Sequence, residues 1–272
     1  MSQDIQKHST GQEKALLVLL FTGVFLFIAF HVSPLWGYSY LIWYGGFMAG
    51  LGAIALINAA LLTGYKNAFL FFALGAAIGF TMETIGVSTG LIFGPYTYSE
   101  KLGPKLGTVP YVIPLCWFGI VYLAHMLSNF IVFAKPVLLS SSLVRLLLMS
   151  AITAMIATAF DVAVDPVLSN KAVNLWVWTD GGDFFGVPFR NFQGWLITAF
   201  LIDATYRIAS QKITSPPLTT KPGPIILSII AVWTALAMGF MLLGYPLETQ
   251  IIAAFALFPP AAFAITSIYQ RG

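Results

Sequence analysis

Three acidic residues lie inside long apolar stretches of this chain. Glu83 follows fifteen residues that are apolar or small apart from Thr81, and Asp161 and Asp165 lie in a second apolar stretch. An ionisable side chain inside a membrane span costs about 2.5–3.5 kcal/mol on insertion scales, and it usually serves a function. Glu83, Asp161 and Asp165 are therefore candidate catalytic residues that give and accept protons.

The spacing of Asp161 and Asp165 predicts a coupled pair. Residues four apart share one helix face, with β-carbons about 5–6 Å apart. Two carboxylates that close disfavour double ionisation, so one should hold a proton while the other stays charged. Asp161 is the deeper of the two and suits the protonated role, whereas Asp165, beside Pro166, is nearer to water. At the rise of an α-helix, Glu83 lies roughly 15 Å below the outer end of its apolar stretch. We expect it to be the proton donor.

Each acid also has a structural alternative. Glu83 can serve only as a hydrogen-bonding partner of a neighbouring helix, and Asp165 can be a solvated helix end. Asp203, four residues before Arg207, is explained by a structural ion pair near the cytoplasmic face.

A wider set of polar and aromatic residues can complete a pocket around the acids. Aromatic faces stabilise a nearby cation without capturing it, each by about 0.5–2 kcal/mol. Two long loops each carry an aromatic pair two residues apart, Tyr96/Tyr98 and Trp176/Trp178. The candidate substrate-binding residues are Tyr96, Tyr98, Trp117, His125, Asn129, Trp176, Trp178, Asp180, Asp183, Phe185, Arg190, Asn191 and Trp195.

Several of these candidates have plainer interpretations. Some of the aromatic residues can be part of the interfacial belts of a membrane protein. Asp180 and Asp183, in TDGGDFF, fit ordinary turn positions. His125 can be a packing histidine with satisfied hydrogen bonds.

The composition is that of an integral membrane protein. Of 272 residues, 58% are hydrophobic and 8% charged, whereas soluble domains carry about 25% charged residues. The net charge of +3, without a Lys/Arg cluster, predicts no nucleic-acid partner. The single cysteine, Cys116, excludes an intrachain disulfide and Cys-rich metal sites. No nucleotide-binding or metalloenzyme motif is present, so we expect neither a metal nor another cofactor.

The elements that must position these residues are membrane-spanning helices, which need about 20 mostly apolar residues each. The chain offers eight, near 15–32, 39–62, 67–93, 110–134, 143–167, 191–209, 224–243 and 249–268. The first lacks a cleavage site and is interpreted as an uncleaved span. The expected fold is an all-α, polytopic membrane helical bundle forming one domain over residues 1–272, with a functional core at about 67–209.

Positive charge predicts the orientation of this bundle. Eight spans place both termini on one side, and basic residues favour the cytoplasm. Nine basic residues fall on the side of the termini and four on the other. We therefore expect cytoplasmic termini in the inner (plasma) membrane, with the loops at 94–109 and 168–190 outside.

Two further sequence patterns concern helix packing and internal repetition. The spacings Gly46–Gly50 and Gly75–Gly79 permit close helix approach. The third and fifth spans both contain acids and both precede a long loop with an aromatic pair. A decayed internal repeat is one explanation of that similarity.

Four blocks of this sequence resemble a known family. They read METIGVSTGLIFGPYTY, LGPKLGTVPYVIPLCWFGIVY, FDVAVDPV and GVPFRNFQGW, in this order within residues 75–207. The blocks resemble the carotenoid 1,2-hydratases of the bisanhydrobacterioruberin hydratase type. Cys116 departs from the asparagine often found at that position in the family.

The resemblance implies an enzyme that adds water to the terminal 1,2 double bond of an acyclic carotenoid end, as in lycopene, γ-carotene or bisanhydrobacterioruberin. No cofactor is implied, and the implied partners are the lipid bilayer, the carotenoid and other carotenoid-pathway enzymes. The acid must be neutral near pH 7 although free Glu has a pKa of about 4.3; burial away from water favours that neutral form. Two alternatives stay open: a lycopene-type cyclase and a proton-coupled transporter.

Overall fold

Seven long helices dominate the computed structural model of the protein, which describes residues 40–136, 142–213 and 223–271. They are α1 (Tyr40–Thr63), α2 (Tyr65–Thr89), α3 (Val112–Phe133), α4 (Leu143–Leu168), α5 (Phe189–Ser210), α6 (Pro224–Leu243) and α7 (Glu248–Arg271). The predicted all-α class is confirmed, and a helix lies at each predicted span from 39–62 onward. The span predicted at 67–93 ends earlier, at Thr89, and the helix at the span predicted over 191–209 does not qualify as a membrane span by length and composition. The predicted span at 15–32 lies outside the described residues.

Six of these helices are long and apolar enough to cross a membrane, and α5 is the exception. α5 carries three charged residues, Arg190, Asp203 and Arg207. It packs against α4 and α2 within the bundle. The protein is therefore a multi-pass membrane protein in which one long helix is more polar than the rest.

α3 lies at the centre of the bundle. It packs against α1, α2, α4 and α7, and every residue from Trp117 to Phe130 is buried. A helix enclosed on all sides presents no lipid-facing stripe, so its polar residues face other helices rather than lipid.

Small residues bring α2 close to α3. A Cβ added at Gly79 would lie 2.7 Å from the Trp117 ring, and one at Gly75 would lie 3.1 Å from the Phe118 backbone. The predicted close packing at Gly75–Gly79 is thus confirmed. At Gly46 and Gly50 an added Cβ would meet no described atom within 4 Å.

Two short strands connect the loops that follow α2 and α4. β1 (Tyr96–Tyr98) is followed by a 3₁₀ helix (Glu100–Leu102) and a small hairpin, β2 (Lys105–Leu106) with β3 (Val109–Pro110). β1 then pairs antiparallel with β4 (Trp176–Trp178), from the loop after α4.

The register of the β1–β4 ribbon explains the two aromatic pairs of the sequence. Tyr96 is opposite Trp178, and Tyr98 is opposite Trp176. Since side chains alternate along a strand, all four rings project from one face. The central residues Thr97 and Val177 project from the other face and are exposed.

Candidate active site

Glu83 lies on α2 and is buried, with 6% of its surface exposed. The hydroxyl groups of Tyr96 and Tyr98 both donate hydrogen bonds to Glu83 Oε2, and the bond from Tyr98 is 2.7 Å long. The indole Nε1 of Trp117 donates to Glu83 Oε1 at 2.8 Å. Gly79, one helical turn before Glu83, leaves the space that Trp117 occupies. Three donors from the ribbon and α3 therefore surround this carboxyl.

Burial also fixes the protonation of the two phenols. Removal from water, reinforced by the nearby Glu83 carboxyl, raises the pKa of Tyr96 and of Tyr98 well above the usual value. Both hydroxyls therefore keep their protons at neutral pH. Each is available as a hydrogen-bond donor to Glu83.

Asp165 has a similar arrangement on α4. It is 1% exposed, and therefore not the solvated helix end that the sequence left open. The indole Nε1 atoms of Trp176 and Trp178 donate to its Oδ1 at 2.8 and 3.2 Å. An indole N–H can only donate, so this environment suits a carboxylate.

Asn191 joins Asp165 to Asp161. Its Nδ2 lies 2.6 Å from Asp161 Oδ2 and 2.7 Å from Asp165 Oδ2, so one amide group donates to both acids. Asn191 lies in the first turn of α5, which packs along α4. The predicted closeness of the two aspartates is therefore observed, with a side chain from another helix between them.

Aromatic rings separate the Glu83 group from the aspartate pair. The ring centroids of Tyr96 and Trp178 are 5.0 Å apart, and those of Tyr98 and Trp176 are 6.3 Å apart. Trp195 of α5 packs on Trp117 with centroids 4.2 Å apart. These contacts make a continuous aromatic wall from one acid to the other.

One cavity touches all three acids. Its polar part is formed by the carboxyls, Asn191 and the aromatic wall, and the remainder is apolar. The lining residues are Phe47, Met48, Leu51, Glu83, Phe93, Tyr96, Tyr98, Ile113, Cys116, Trp117, Phe160, Asp161, Val164, Asp165, Leu168, Trp176, Trp178, Asn191, Trp195 and Phe240. An apolar molecule in this cavity would meet carboxyl groups and aromatic rings together.

His125 and Asn129 lie outside this lining and belong to a separate buried network. His125 Nδ1 is 2.6 Å from Asp203 Oδ1, and Asn129 is 3.0 Å from His125 Nε2. Arg207 Nε donates to Asp203 Oδ2 at 2.5 Å, and its Nη1 donates to Asn129. The predicted Asp203–Arg207 ion pair is confirmed. The network ties α3 to α5.

Four other candidates also lie away from the cavity lining. Asp180 and Asp183 are exposed and flank Gly181 and Gly182 in the loop before α5. Phe185 is 38% exposed and packs edge-on against the neighbouring Phe184 ring. The fourth, Arg190, lines a groove at the start of α5.

Among the residues with described positions, no three His, Cys, Asp or Glu side chains are grouped so as to hold a metal ion. The predicted independence from metals and other cofactors stays a prediction.

The matched family gives the chain its biological context. The sequence pattern described as "Carotenoid biosynthesis protein" matches residues 44–259. The chain belongs to the carotenoid biosynthesis protein family. The matched range contains every residue that lines the cavity, from Phe47 to Phe240.

A second similarity, to an individual protein, agrees with this family. A protein of Haloarcula japonica named bisanhydrobacterioruberin hydratase is 30% identical over 167 residues, which are 61% of this chain and 53% of that relative. The chain thus spans about half the length of the curated relative that it matches. No solved structure matches the chain.

Some lining residues of this carotenoid biosynthesis family member were not candidates from sequence alone. Phe93, Phe160 and Phe240 are buried apolar residues, as are Met48 and Leu51 of α1. Nothing in their local sequence separates them from residues that pack against other helices or against lipid. Phe93 and Phe160 lay within recognised sequence blocks, which was the one available signal.

Proposed function

We propose that this protein is an enzyme that adds water across the terminal 1,2 carbon–carbon double bond of an acyclic carotenoid end, giving a tertiary alcohol. One observation carries the proposal: three buried carboxyls face a cavity whose other walls are aromatic and apolar. Acids in such a cavity suit proton transfer to a hydrocarbon. Membership of a carotenoid biosynthesis family and the name of the Haloarcula relative favour a carotenoid as that hydrocarbon.

The hydrogen bonds suggest how the acids divide the work. Bonds donated to a carboxylate favour its charged form. Glu83 accepts from three side chains and Asp165 also accepts from three, whereas the described contacts give Asp161 one donor, Asn191. Asp161 is therefore more readily kept protonated, and so a better candidate proton donor, than Glu83, the donor favoured from sequence. Asp165 then serves as the base, and Glu83 as an anion facing the developing cation.

The proposed reaction has two steps. Asp161 transfers its proton to the less substituted carbon of the double bond, which leaves a tertiary carbocation at the other carbon. The oxygen of a water molecule bonds to that cation and its extra proton passes to Asp165. A proton transfer from Asp165 to Asp161, which share Asn191, restores the starting state. The net change is one water added.

The aromatic wall has a defined part in this scheme. Trp178 and Tyr96 lie between the acids, where their faces lower the free energy of a cation without forming a bond to it, by about 0.5–2 kcal/mol each. The scheme uses protein side chains and water alone, which is why we propose a cofactor-independent hydratase.

We further propose that the enzyme lies in the inner (plasma) membrane with both termini cytoplasmic. The loops containing β1 and β4 would then be on the outer side, and the carotenoid would enter from the bilayer. Other carotenoid-pathway enzymes are the proposed partners for substrate supply.

Expression in a lycopene-producing bacterium tests the function directly. A hydratase gives a product heavier by one water, or by two waters if both ends react. A product of unchanged mass with a ring at the end would instead indicate a cyclase. Unchanged lycopene, combined with proton uptake coupled to a solute in vesicles, would indicate the transporter. Activity that is lost with a chelator and regained with one divalent metal would contradict cofactor independence.

A further inference from the structure

The cavity lining combines two kinds of side chain. Its polar groups are the carboxyls, Asn191 and the indole and phenol groups. Its apolar groups include side chains of three helices: Met48 and Leu51 of α1, Phe160 of α4 and Phe240 of α6. A reacting group bound at the acids would therefore have a hydrocarbon surface beside it.

Two of the apolar lining residues, Phe160 and Phe240, belong to an aromatic cluster. The Phe160 ring lies 5.9 Å from the Trp233 ring and 6.2 Å from the Phe240 ring, measured between centroids. Trp233 is held by a 2.7 Å hydrogen bond from its Nε1 to the Leu257 carbonyl of α7. The Phe160 ring is therefore held in place by aromatic packing.

α1 and α6 both supply apolar residues to the cavity lining, and they are also joined by hydrogen bonds far from it. Asn58 Nδ2 donates to the Ile225 carbonyl and to Ser228 Oγ, both at 2.9 Å. At the helical rise of about 1.5 Å per residue, Met48 lies roughly 15 Å from Asn58 along α1, and Phe240 lies roughly 18 Å from Ser228 along α6. The two antiparallel helices are thus tied at one end and border the cavity at the other.

We propose that the cavity between Met48 and Leu51 of α1 and Phe240 of α6 binds the hydrocarbon chain next to the reacting double bond. The chain then passes between these helices toward the lipid. This inference rests on the proposed function and adds a chain-binding subsite to it. Met48 and Leu51, three residues apart on one face of α1, determine whether a long chain fits.

Chain-length discrimination tests the subsite. The purified full chain is given two substrates with the same terminal double bond: a full-length acyclic carotenoid and a short acyclic isoprenoid. Met48→Trp fills the proposed channel, whereas Met238→Trp makes the same change on the exposed face of α6, where Met238 is 46% exposed. Binding of the full-length carotenoid is followed in parallel by its induced circular dichroism.

We expect Met48→Trp to lower the ratio of kcat/KM for the long substrate over the short one by about tenfold or more. It should also weaken binding of the long carotenoid, and Met238→Trp should change neither quantity. Equal losses on both substrates, or an unchanged ratio, would overturn the subsite. Wild-type protein that binds the long carotenoid and hydrates nothing would contradict the proposed function. The difference between Met48→Trp and Met238→Trp in binding of the long carotenoid would still show whether the subsite exists.

Discussion

Tyr96 lies directly opposite Trp178 in the β1–β4 ribbon, with ring centroids 5.0 Å apart. Tyr96 donates to Glu83, thirteen residues before it, and Trp178 donates to Asp165, also thirteen residues before it. β1 thus supplies a hydrogen-bond donor to the acid of α2, and β4 supplies one to the acid of α4. The ribbon joins these two units into one cavity wall.

The aspartate pair gives the first prediction. Asp161→Asn and Asp165→Asn should each lower kcat by at least ~100-fold, the scale of a lost general acid or base. The double variant should lose much less than the product of the two losses, because residues that act as a unit are not additive. Rates of water addition in detergent, with membrane insertion checked separately, measure this. Fully multiplicative losses would mean that the two acids work independently.

Glu83→Gln provides a second test, which also separates the proposed roles. The variant keeps the shape of the side chain but removes its negative charge beside the cation, so activity should fall strongly while insertion stays normal. The loss should be smaller than that of Asp161→Asn if Asp161 is the acid. A larger loss in Glu83→Gln would return the donor role to Glu83. A variant with near wild-type rate would make Glu83 structural.

A third prediction concerns Asn191 as the residue that positions both aspartates. Asn191→Leu removes a donor shared by two carboxyls, and a hydrogen bond to a charged group contributes about 1.5–3 kcal/mol. We expect kcat to fall about tenfold or more with little change in KM. Gln193→Leu, an exposed amide two residues later on α5, is the matched control. A change in KM alone would assign Asn191 to substrate binding instead.

The buried phenols predict how stability depends on alkaline pH. Burial raises the pKa of Tyr96 and Tyr98 in the folded protein. A phenol pKa that is raised in the folded protein stabilises the fold, and this stabilisation is complete below the phenol pKa of the unfolded chain, about 10. It is lost as the pH rises through the phenol pKa of the folded protein. Above about pH 10 the free energy of unfolding should therefore fall by about 1.4 kcal/mol per pH unit for each phenol. Denaturant unfolding of Tyr98→Phe should show a shallower decline than wild type, and equal declines would contradict the prediction.

The proposed orientation is testable with cysteine labelling. Lys171 and Lys212 are both exposed, in the loop after α4 and just beyond α5 respectively. A membrane-impermeant maleimide should label Lys171→Cys in intact cells but label Lys212→Cys only after the membrane is opened. The reverse pattern would invert the topology. The parent protein, with Cys116 alone, supplies the background.

The sequence predicted the helices well because long apolar stretches have one stable arrangement in a membrane, with all backbone hydrogen bonds satisfied within each helix. It also identified Glu83, Asp161 and Asp165 as unusual, since a buried acid contrasts with apolar neighbours. The pairing of the two aspartates followed from helix geometry alone.

Other features depended on contacts between distant segments. The Tyr and Trp pairs were visible, but their direct opposition arises from strand pairing across two loops, which periodicity does not encode. His125 and Asn129 share a helix face, yet only the position of α5 shows that Arg207 and Asp203 occupy that face. The apolar part of the cavity lining was undetectable, since Met48 and Phe240 have the same character as residues that face lipid.

The pairing of β1 with β4 also dictates when the cavity can be assembled during biosynthesis. β1 follows α2, but its partner strand is made only after α3 and α4 have been synthesised. Glu83 must therefore enter the membrane before Trp176 and Trp178 exist, with Tyr96, Tyr98 and Trp117 as the partners available earliest. A nascent chain ending after α3 would hold Glu83 with its three donors but neither aspartate nor β4. Closing the loop between the two strands is then a late, entropically costly event in maturation, and chains stalled before β4 should be inactive and readily degraded.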